Sequence, residues 1–224
     1  MEHKETTEAK EPKRLTFDLS EIADVFQLVK QGSCEHLTEW LDADGTLAAD
    51  ELSLFDSIYA DIVEDGDYWN EEELKMQAVA FLMHLAHLKE KGLIKIFYER
   101  PLSAVLNGYR LSVVTDCMVA APRPFNSPRN PYFFLQEFKR GKGEKTDPEA
   151  QMLVAMLIAQ HSNADQKPLY GGYLVGSTWV FTTLYERNYC VSRKFDLLDR
   201  TDLLQVVFML RKLKTLILNG LKKQ

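Results

Sequence analysis

Two charged residues, Glu137 and Lys139, lie two positions apart in an otherwise apolar segment, PYFFLQEFKR, residues 131–140. The run YFFL is typical of a buried β-strand, in which alternate side chains project to the same face. The carboxylate and the amine should therefore lie side by side, while Phe138 between them points into apolar packing. Because buried charges are costly unless they are paired or hold a metal ion, the pair predicts a polar site on this strand.

A second acidic residue, Asp116, lies upstream in a polar position of another strand-like segment, LSVVTDCMVA, residues 111–120. An aspartate on one strand followed by Glu-x-Lys on the next is the pattern of a metal-dependent site that cleaves phosphodiester bonds. The alternative for Glu137 and Lys139 is a salt bridge at a sheet edge, which is the usual role of an isolated Glu-x-Lys in a strand.

The neighbouring segments predict the elements that would position these residues. A helix should begin after Asn70, a good N-cap residue, and end near Gly92. Beyond it, the sequence predicts strands at 93–99, 108–120 and 131–139, a helix at 148–160, strands between 169 and 192, and a final helix at 199–220. Three strands in a meander, then a crossover helix and a further strand, indicate a mixed sheet flanked by helices, which is an α/β fold.

The N-terminal part of the chain differs in composition from the rest. Residues 1–16 are polar and charged, which predicts a disordered tail. Residues 17–66 carry short helical patterns, such as the apolar stripe of FDLSEIADVFQLVKQ, and predict a helical appendage. Residues 67–224 would then form the main domain.

Charge is distributed unevenly along the chain, whose formal net charge is -6. Residues 1–90 contain 7 Lys and Arg against 22 Asp and Glu, whereas residues 91–224 contain 20 against 11. A basic surface on the C-terminal part could bind a polyanion such as DNA although the whole chain is acidic. The acidic N-terminal helices could shield that surface, bind a protein partner or support a homo-oligomer. The alternative is solvated surface charge that is segregated by chance.

The cysteines and the hydropathy pattern bear on the cellular compartment. Cys34, Cys117 and Cys190 form no CxxC pair, which predicts reduced thiols rather than a disulfide or zinc framework. No apolar run is long enough to cross a bilayer, and the first residues do not resemble a signal peptide. We therefore expect a cytoplasmic protein with no membrane partner.

The order αβββαβ, with Asp116 at the end of the second strand and Glu137-x-Lys139 at the end of the third, resembles the PD-(D/E)XK nuclease superfamily. Many restriction endonucleases and Holliday-junction resolvases share this fold. The resemblance covers roughly residues 70–191, and Thr115 stands where the superfamily's name has a proline. The segments WNEEELKM, PYFFLQEFKR, DPEAQMLVAMLIAQ and YGGYLVGSTWVF in this order are similar to an uncharacterised bacterial family within it.

The resemblance implies a restriction-endonuclease-like core and a nuclease that hydrolyses phosphodiester bonds of DNA. Asp116 and Glu137 would bind Mg²⁺ or Mn²⁺, with the carbonyl of Phe138 as a further ligand. Lys139 would position the attacking water and stabilise the charge that develops on the phosphoryl group. A catalytically silent nuclease fold that binds nucleic acid or a protein partner is the alternative.

Further site residues are expected on the elements that flank the strands. Glu72, with Glu71 as the close alternative, lies at the end of the apolar arc of the first core helix and could add an acidic group. These glutamates could equally do no more than cap the helix. Gln151 opens the second core helix and matches a glutamine found there in nuclease relatives, although it could be a surface amide. Three basic residues of the loop after the third strand would contact phosphates, namely Arg140, Lys142 and Lys145.

Overall fold

In the computed structural model, which describes residues 11–139 and 147–222, eight β-strands form one mixed sheet flanked by helices. The strands are β1 (Lys13–Arg14), β2 (Val29–Gln31), β3 (Lys95–Leu106), β4 (Tyr109–Arg123), β5 (Ser127–Lys139), β6 (Leu169–Val175), β7 (Thr178–Tyr185) and β8 (Asn188–Asp196). The helices are α1 (Leu19–Phe26), α2 (Glu35–Leu41), α3 (Ala49–Asp65), α4 (Glu71–Glu73), α5 (Ala80–Leu85), α6 (Pro148–Asn163) and α7 (Arg200–Lys222). A π-helical segment, Leu74–Val79, joins α4 to α5 in one continuous helix.

The centre of the sheet is an antiparallel meander extended by a crossover. Strands β3, β4 and β5 pair antiparallel in succession. Helix α6 then carries the chain back, so that β6 lies parallel to β5, since parallel neighbours need such a crossover. Strands β7 and β8 follow antiparallel, while the short strands β1 and β2 lie parallel to β4 and β8. The predicted α/β class with a mixed sheet is confirmed.

Helices cover both faces of the sheet, because successive strand residues alternate between two buried clusters. Cys117, Phe134 and Phe138 pack in one cluster with residues of α2, α3, α5 and α7. Met118 and Leu135 pack in the other cluster with residues of α1 and α6. The strands that carry the predicted site are therefore buried on both sides.

The predicted helical appendage packs directly against the sheet. Trp40 of α2 is fully buried, and its ring makes edge contacts with Phe134 and Phe181 at centroid distances of 6.0 and 5.1 Å. Its indole N–H donates a hydrogen bond of 2.8 Å to the carbonyl of Met209 in α7. The N-terminal helices thus share a hydrophobic core with the rest of the chain.

The structure differs from the sequence prediction in three local features. Lys13 and Arg14, within the predicted disordered tail, form β1 beside β4, whereas residues 1–10 lie outside the described residues. Strand β2 was not predicted. Strand β3 continues well past residue 99 and includes Pro101, which is tolerated because, among the described residues, β3 pairs with β4 alone.

The prediction of three reduced cysteines is wrong for two of them. Cys34 and Cys190 are joined by a disulfide with a Cα–Cα distance of 6.2 Å, whereas Cys117 is a buried free thiol. The two cysteines are 156 residues apart in the sequence, so their pairing could not be predicted from their spacing. They meet because α2 packs beside β8. Persistent disulfides are typical of oxidising compartments, so the cytoplasmic location stays a prediction. No helix within the described ranges has both the length and the apolar character needed to span a membrane.

Candidate functional site

A side-chain hydrogen bond joins β4 to β5 at the point where their backbone pairing stops. The pairing runs to Cys117 and Gln136, and the next residues along the two strands are Asp116 and Glu137. There Oδ2 of Asp116 accepts a hydrogen bond of 2.7 Å from the backbone N–H of Phe138. The two strands are therefore held together at this point by a carboxylate instead of a backbone carbonyl.

Thr115 supports the same junction. Its hydroxyl lies 3.0 Å from the carbonyl of Cys117 and 3.3 Å from the carbonyl of Gln136 on β5. A proline at this position would offer no such donor. The threonine therefore contributes a polar contact between β4 and β5 next to the acidic residues.

The two carboxyls of the junction are buried. Asp116 is 6% exposed and Glu137 is 1% exposed. Burial raises the pKa of Asp116, while the Phe138 N–H and the neighbouring lysines act in the opposite direction. Burial, and then the charge of Asp116, raise the pKa of Glu137 to about 9. Within the described residues the buried Oε1 of Glu137 has no hydrogen-bond partner, so the acceptor capacity of this carboxyl is not fully used.

Lys139 lies close to both carboxyls, as its place in the strand predicts. Its charge lowers the pKa of Asp116 and of Glu137. Its side chain is largely buried, and Nζ lies 3.5 Å from Oε2 of Glu71. The structure therefore brings together Asp116, Glu137 and Lys139, the three residues that the sequence pattern places at the centre of the site.

The three glutamates at the start of the first core helix have different roles. Glu73 completes a capping box, since its carboxylate accepts the N–H of Asn70 and its own N–H donates to the Asn70 side chain. Glu72 has a side chain that is 75% exposed and contacts Lys75 at 3.2 Å. Glu71 is 31% exposed and alone reaches both Lys75, at 3.3 Å, and Lys139. Of the two predicted candidates, Glu71 is the one in contact with Lys139.

Sequence reasoning missed Lys75, the buried cation of the site. Its Nζ lies within 3.3 Å of four carboxylates, at 2.6 Å from Glu99, 3.2 Å from Asp116 and Glu72, and 3.3 Å from Glu71. Burial alone would lower the pKa of Lys75, but the carboxylates of Glu99, Asp116 and Glu72 raise it well above its ordinary value. The signal in the sequence was a lysine four residues after Glu71, within the apolar pattern of the helix.

The backbone is irregular at Lys75 and at its partner Glu99. The lysine itself lies in the π-helical segment, and such segments occur frequently at functional sites. Opposite it, Glu99 has a φ of 50°, in the left-handed region, and interrupts the pairing of β3 with β4. Non-glycine residues adopt this conformation at a cost, which the ion pair of Glu99 with Lys75 helps to offset.

The remaining predicted site residues are not joined to this cluster by the contacts described. Gln151 lies in the first turn of α6, and its buried side-chain oxygen has no hydrogen-bond partner within the described ranges. The three basic residues expected to contact phosphates lie outside the described residues, namely Arg140, Lys142 and Lys145.

The donor set fits a hard divalent cation. Mg²⁺ is commonly held by one or two carboxylates, with waters and substrate phosphate completing its shell, and Asp116 and Glu137 supply two buried carboxylates. Oε1 of Glu137, which lacks a hydrogen-bond partner within the described residues, would be one of the ion's ligands. Within the described ranges, no group of three or more His, Cys, Asp or Glu residues is arranged as a protein-only metal site, so water or phosphate would have to complete the coordination.

No family model and no curated protein sequence matches the chain. The resemblance of the four sequence segments to the nuclease superfamily therefore stays a prediction.

Proposed function

We propose that the protein is a metal-dependent nuclease that hydrolyses phosphodiester bonds of DNA. The observation that carries the proposal is the buried cluster of Asp116, Glu137 and Lys139 where β4 and β5 stop pairing, in which Oε1 of Glu137 has no hydrogen-bond partner within the described residues. The element order supports a restriction-endonuclease-like core, because the first core helix, the meander, α6 and β6 follow the order αβββαβ.

In this proposal Asp116 and Glu137 would hold Mg²⁺ or Mn²⁺, which would supply Lewis-acid polarisation of the phosphoryl group and a bound water of lowered pKa. The Lys139 ammonium donates hydrogen bonds that orient the attacking water, and its charge stabilises the negative charge that develops on the phosphoryl oxygens. Glu71 in turn holds the Lys139 ammonium in place. The water oxygen bonds to phosphorus, the bond to the 3′ oxygen breaks, and the proton lost by the water is balanced by protonation of that oxygen. The products are a 5′-phosphate and a 3′-hydroxyl.

One observation favours a second candidate, a catalytically silent module that binds nucleic acid or a protein. Oδ1 of Asp116 already lies 3.2 Å from the ammonium of Lys75, and its Oδ2 accepts the Phe138 N–H. An aspartate engaged on both oxygens is less available to a metal ion. In that case the site would be held together by its own lysine, and DNA would bind without being cut.

Nicking of supercoiled plasmid by the full chain tests the proposal. We expect cleavage with Mg²⁺ or Mn²⁺ and none with EDTA. Glu137→Gln and Lys139→Met should each lower the rate by on the order of 10²–10³-fold, the scale of losing one stabilising group of a catalytic site. Glu64→Gln and Lys194→Met change exposed residues of the same types and serve as matched controls. DNA binding by the wild-type protein without metal-dependent cleavage would support the silent module instead.

A further inference from the structure

We propose that Lys75 permanently fills one cation position of this site, so that the site takes up a single divalent ion next to Glu137. The catalytic meaning of this inference rests on the proposed nuclease function, but the occupancy itself does not. In a nuclease, the Lys75 ammonium would then take the place of a second metal ion.

The contacts of Lys75 are those of an enclosed cation. An ammonium has three N–H donors, and Lys75 directs them to Glu99, Asp116 and Glu72. Glu71 lies at 3.3 Å as a fourth carboxylate. An ordinary salt bridge has one acidic partner, whereas here four acidic side chains surround one amine.

This ammonium is fixed in place. The Lys75 side chain is only 6% exposed, and Nζ lies 6.0 Å from the centre of the Phe138 ring. Its partners come from two elements besides its own helix, since Glu99 lies on β3 and Asp116 on β4. Moving the amine out would leave the buried Asp116 without this counter-charge beside the partly exposed Glu71, which is costly.

The two carboxylates of the junction differ in how many of their oxygens have partners. Oδ1 of Asp116 faces Lys75 and its Oδ2 faces the Phe138 N–H, so both oxygens are engaged. Oε1 of Glu137, on a residue that is 1% exposed, is the buried carboxylate oxygen of the pair that lacks a partner within the described ranges. In this proposal the divalent ion would therefore take its ligand from the unpartnered oxygen of Glu137.

The position of Lys75 matches the role of a second ion. In two-metal phosphodiester sites the ions lie about 3.5–4 Å apart and share a carboxylate. The Lys75 ammonium lies against Asp116, where an ion that shared this carboxylate would lie. As a compact point charge, the ammonium could stabilise negative charge on a phosphate, but it would generate no hydroxide.

Counting Mn²⁺ ions by isothermal titration calorimetry of the full chain, without DNA, tests the occupancy. We expect one ion per wild-type chain, one for Lys75→Arg, and two for Lys75→Gln, because the vacated carboxylates then attract a second ion. Combining Lys75→Gln with Glu72→Gln and Glu99→Gln should return the count to one. Two ions on the wild-type chain, no ion on it, or an unchanged count for Lys75→Gln would each overturn the inference.

A labelling experiment on the wild-type chain covers the case in which Lys75→Gln does not fold. With an amine-reactive reagent and mass spectrometry, Lys75 should stay unlabelled both without Mn²⁺ and at saturating Mn²⁺, while the exposed Lys194 is labelled in both. Labelling of Lys75 on addition of Mn²⁺ would mean that the metal displaces it, and the inference would be wrong.

The outcomes separate this inference from the proposed function. A chain with the expected ion counts that does not cut DNA would refute the nuclease and leave the occupancy intact. Cleavage that depends on Glu137, together with an unchanged ion count in Lys75→Gln, would support the nuclease and refute the occupancy.

Discussion

The carboxylate of Glu71 lies between two lysines, with Oε1 at 3.3 Å from Nζ of Lys75 and Oε2 at 3.5 Å from Nζ of Lys139. One side chain from the first core helix thereby links the buried ammonium to the lysine of β5. Because both lysines also act on Asp116, the position of Glu71 affects the whole cluster.

Replacement of Glu71 should impair catalysis more than replacement of Glu72. In Glu71→Gln the neutral amide no longer attracts Lys139, and we expect kcat to fall by roughly 10–100-fold, as for other residues that orient a catalytic group, with little change in KM. Glu72→Gln, three-quarters exposed in the native chain, should stay within about 3-fold, since exposed pairs contribute little. Steady-state cleavage kinetics measure both, and equal losses in the two variants would contradict this role of Glu71.

Asp116 should contribute to stability as well as to activity. Asp116→Ala removes the acceptor of the buried Phe138 N–H, so we expect the free energy of unfolding to fall by about 1–3 kcal/mol, the cost of leaving a buried donor unsatisfied, while Lys75 keeps its three other carboxylates. Asp116→Asn keeps an oxygen that can accept the N–H and should lose less. Urea unfolding of the metal-free chain measures the difference, and an identical loss in the two variants would show that the hydrogen bond to Phe138 contributes little.

The buried carboxyl of Glu137 should make the metal-free chain less stable as the pH rises. Its pKa is about 9 in the folded chain and near 4.5 when unfolded, so between these values the folded state keeps a proton that the unfolded state has lost. Its contribution is therefore most favourable below pH 4.5 and declines as the pH rises toward 9. At pH 7 the penalty amounts to at most about 3–4 kcal/mol.

Glu137→Gln tests this dependence because its amide does not ionise. In EDTA, we expect the variant and the wild type to unfold at similar urea concentrations at pH 4 and the variant to be the more stable at pH 7.5. Adding Mn²⁺ should recover stability in the wild type alone, since a ligand of the folded state stabilises it. Parallel pH profiles for the two proteins would be evidence against a buried, protonated Glu137.

The features that the sequence predicted correctly depend on short-range patterns. The alternation of side chains along a strand is enough to place Glu137 and Lys139 together, and two adjacent strands are enough to add Asp116. A projection at 100° per residue across Leu74–Val79 does not separate Glu71 from Glu72, of which Glu71 is the one that contacts Lys139. That segment is π-helical, and its wider turn rotates later residues relative to an α-helical projection.

The role of Lys75 and the disulfide could not be predicted from short-range patterns. The role of Lys75 appears only when Glu99 of β3 and Asp116 of β4 are placed beside the helix, and Glu99 takes a left-handed conformation that its residue type does not suggest. Cys34 and Cys190 are likewise brought together by tertiary packing. Contacts between residues far apart in the chain require the fold to be known first.

The disulfide should contribute strongly to stability, because it joins α2 to β8 across 156 residues of chain. The loop-entropy relation for a closed loop of this size gives about 5 kcal/mol, and measured values more often lie at about 2–4 kcal/mol. We expect Cys34→Ser to lower the free energy of unfolding by an amount in this range under oxidising conditions. Dithiothreitol should destabilise the wild type to a similar extent and leave the stability of Cys34→Ser unchanged.

Cys117→Ser is the matched control, because this buried thiol forms no disulfide and the variant should keep its sensitivity to the reductant. If the wild type unfolds at the same urea concentration with and without dithiothreitol, while mass spectrometry confirms the reduction, then the packing of α2 alone fixes the N-terminal helices to the sheet.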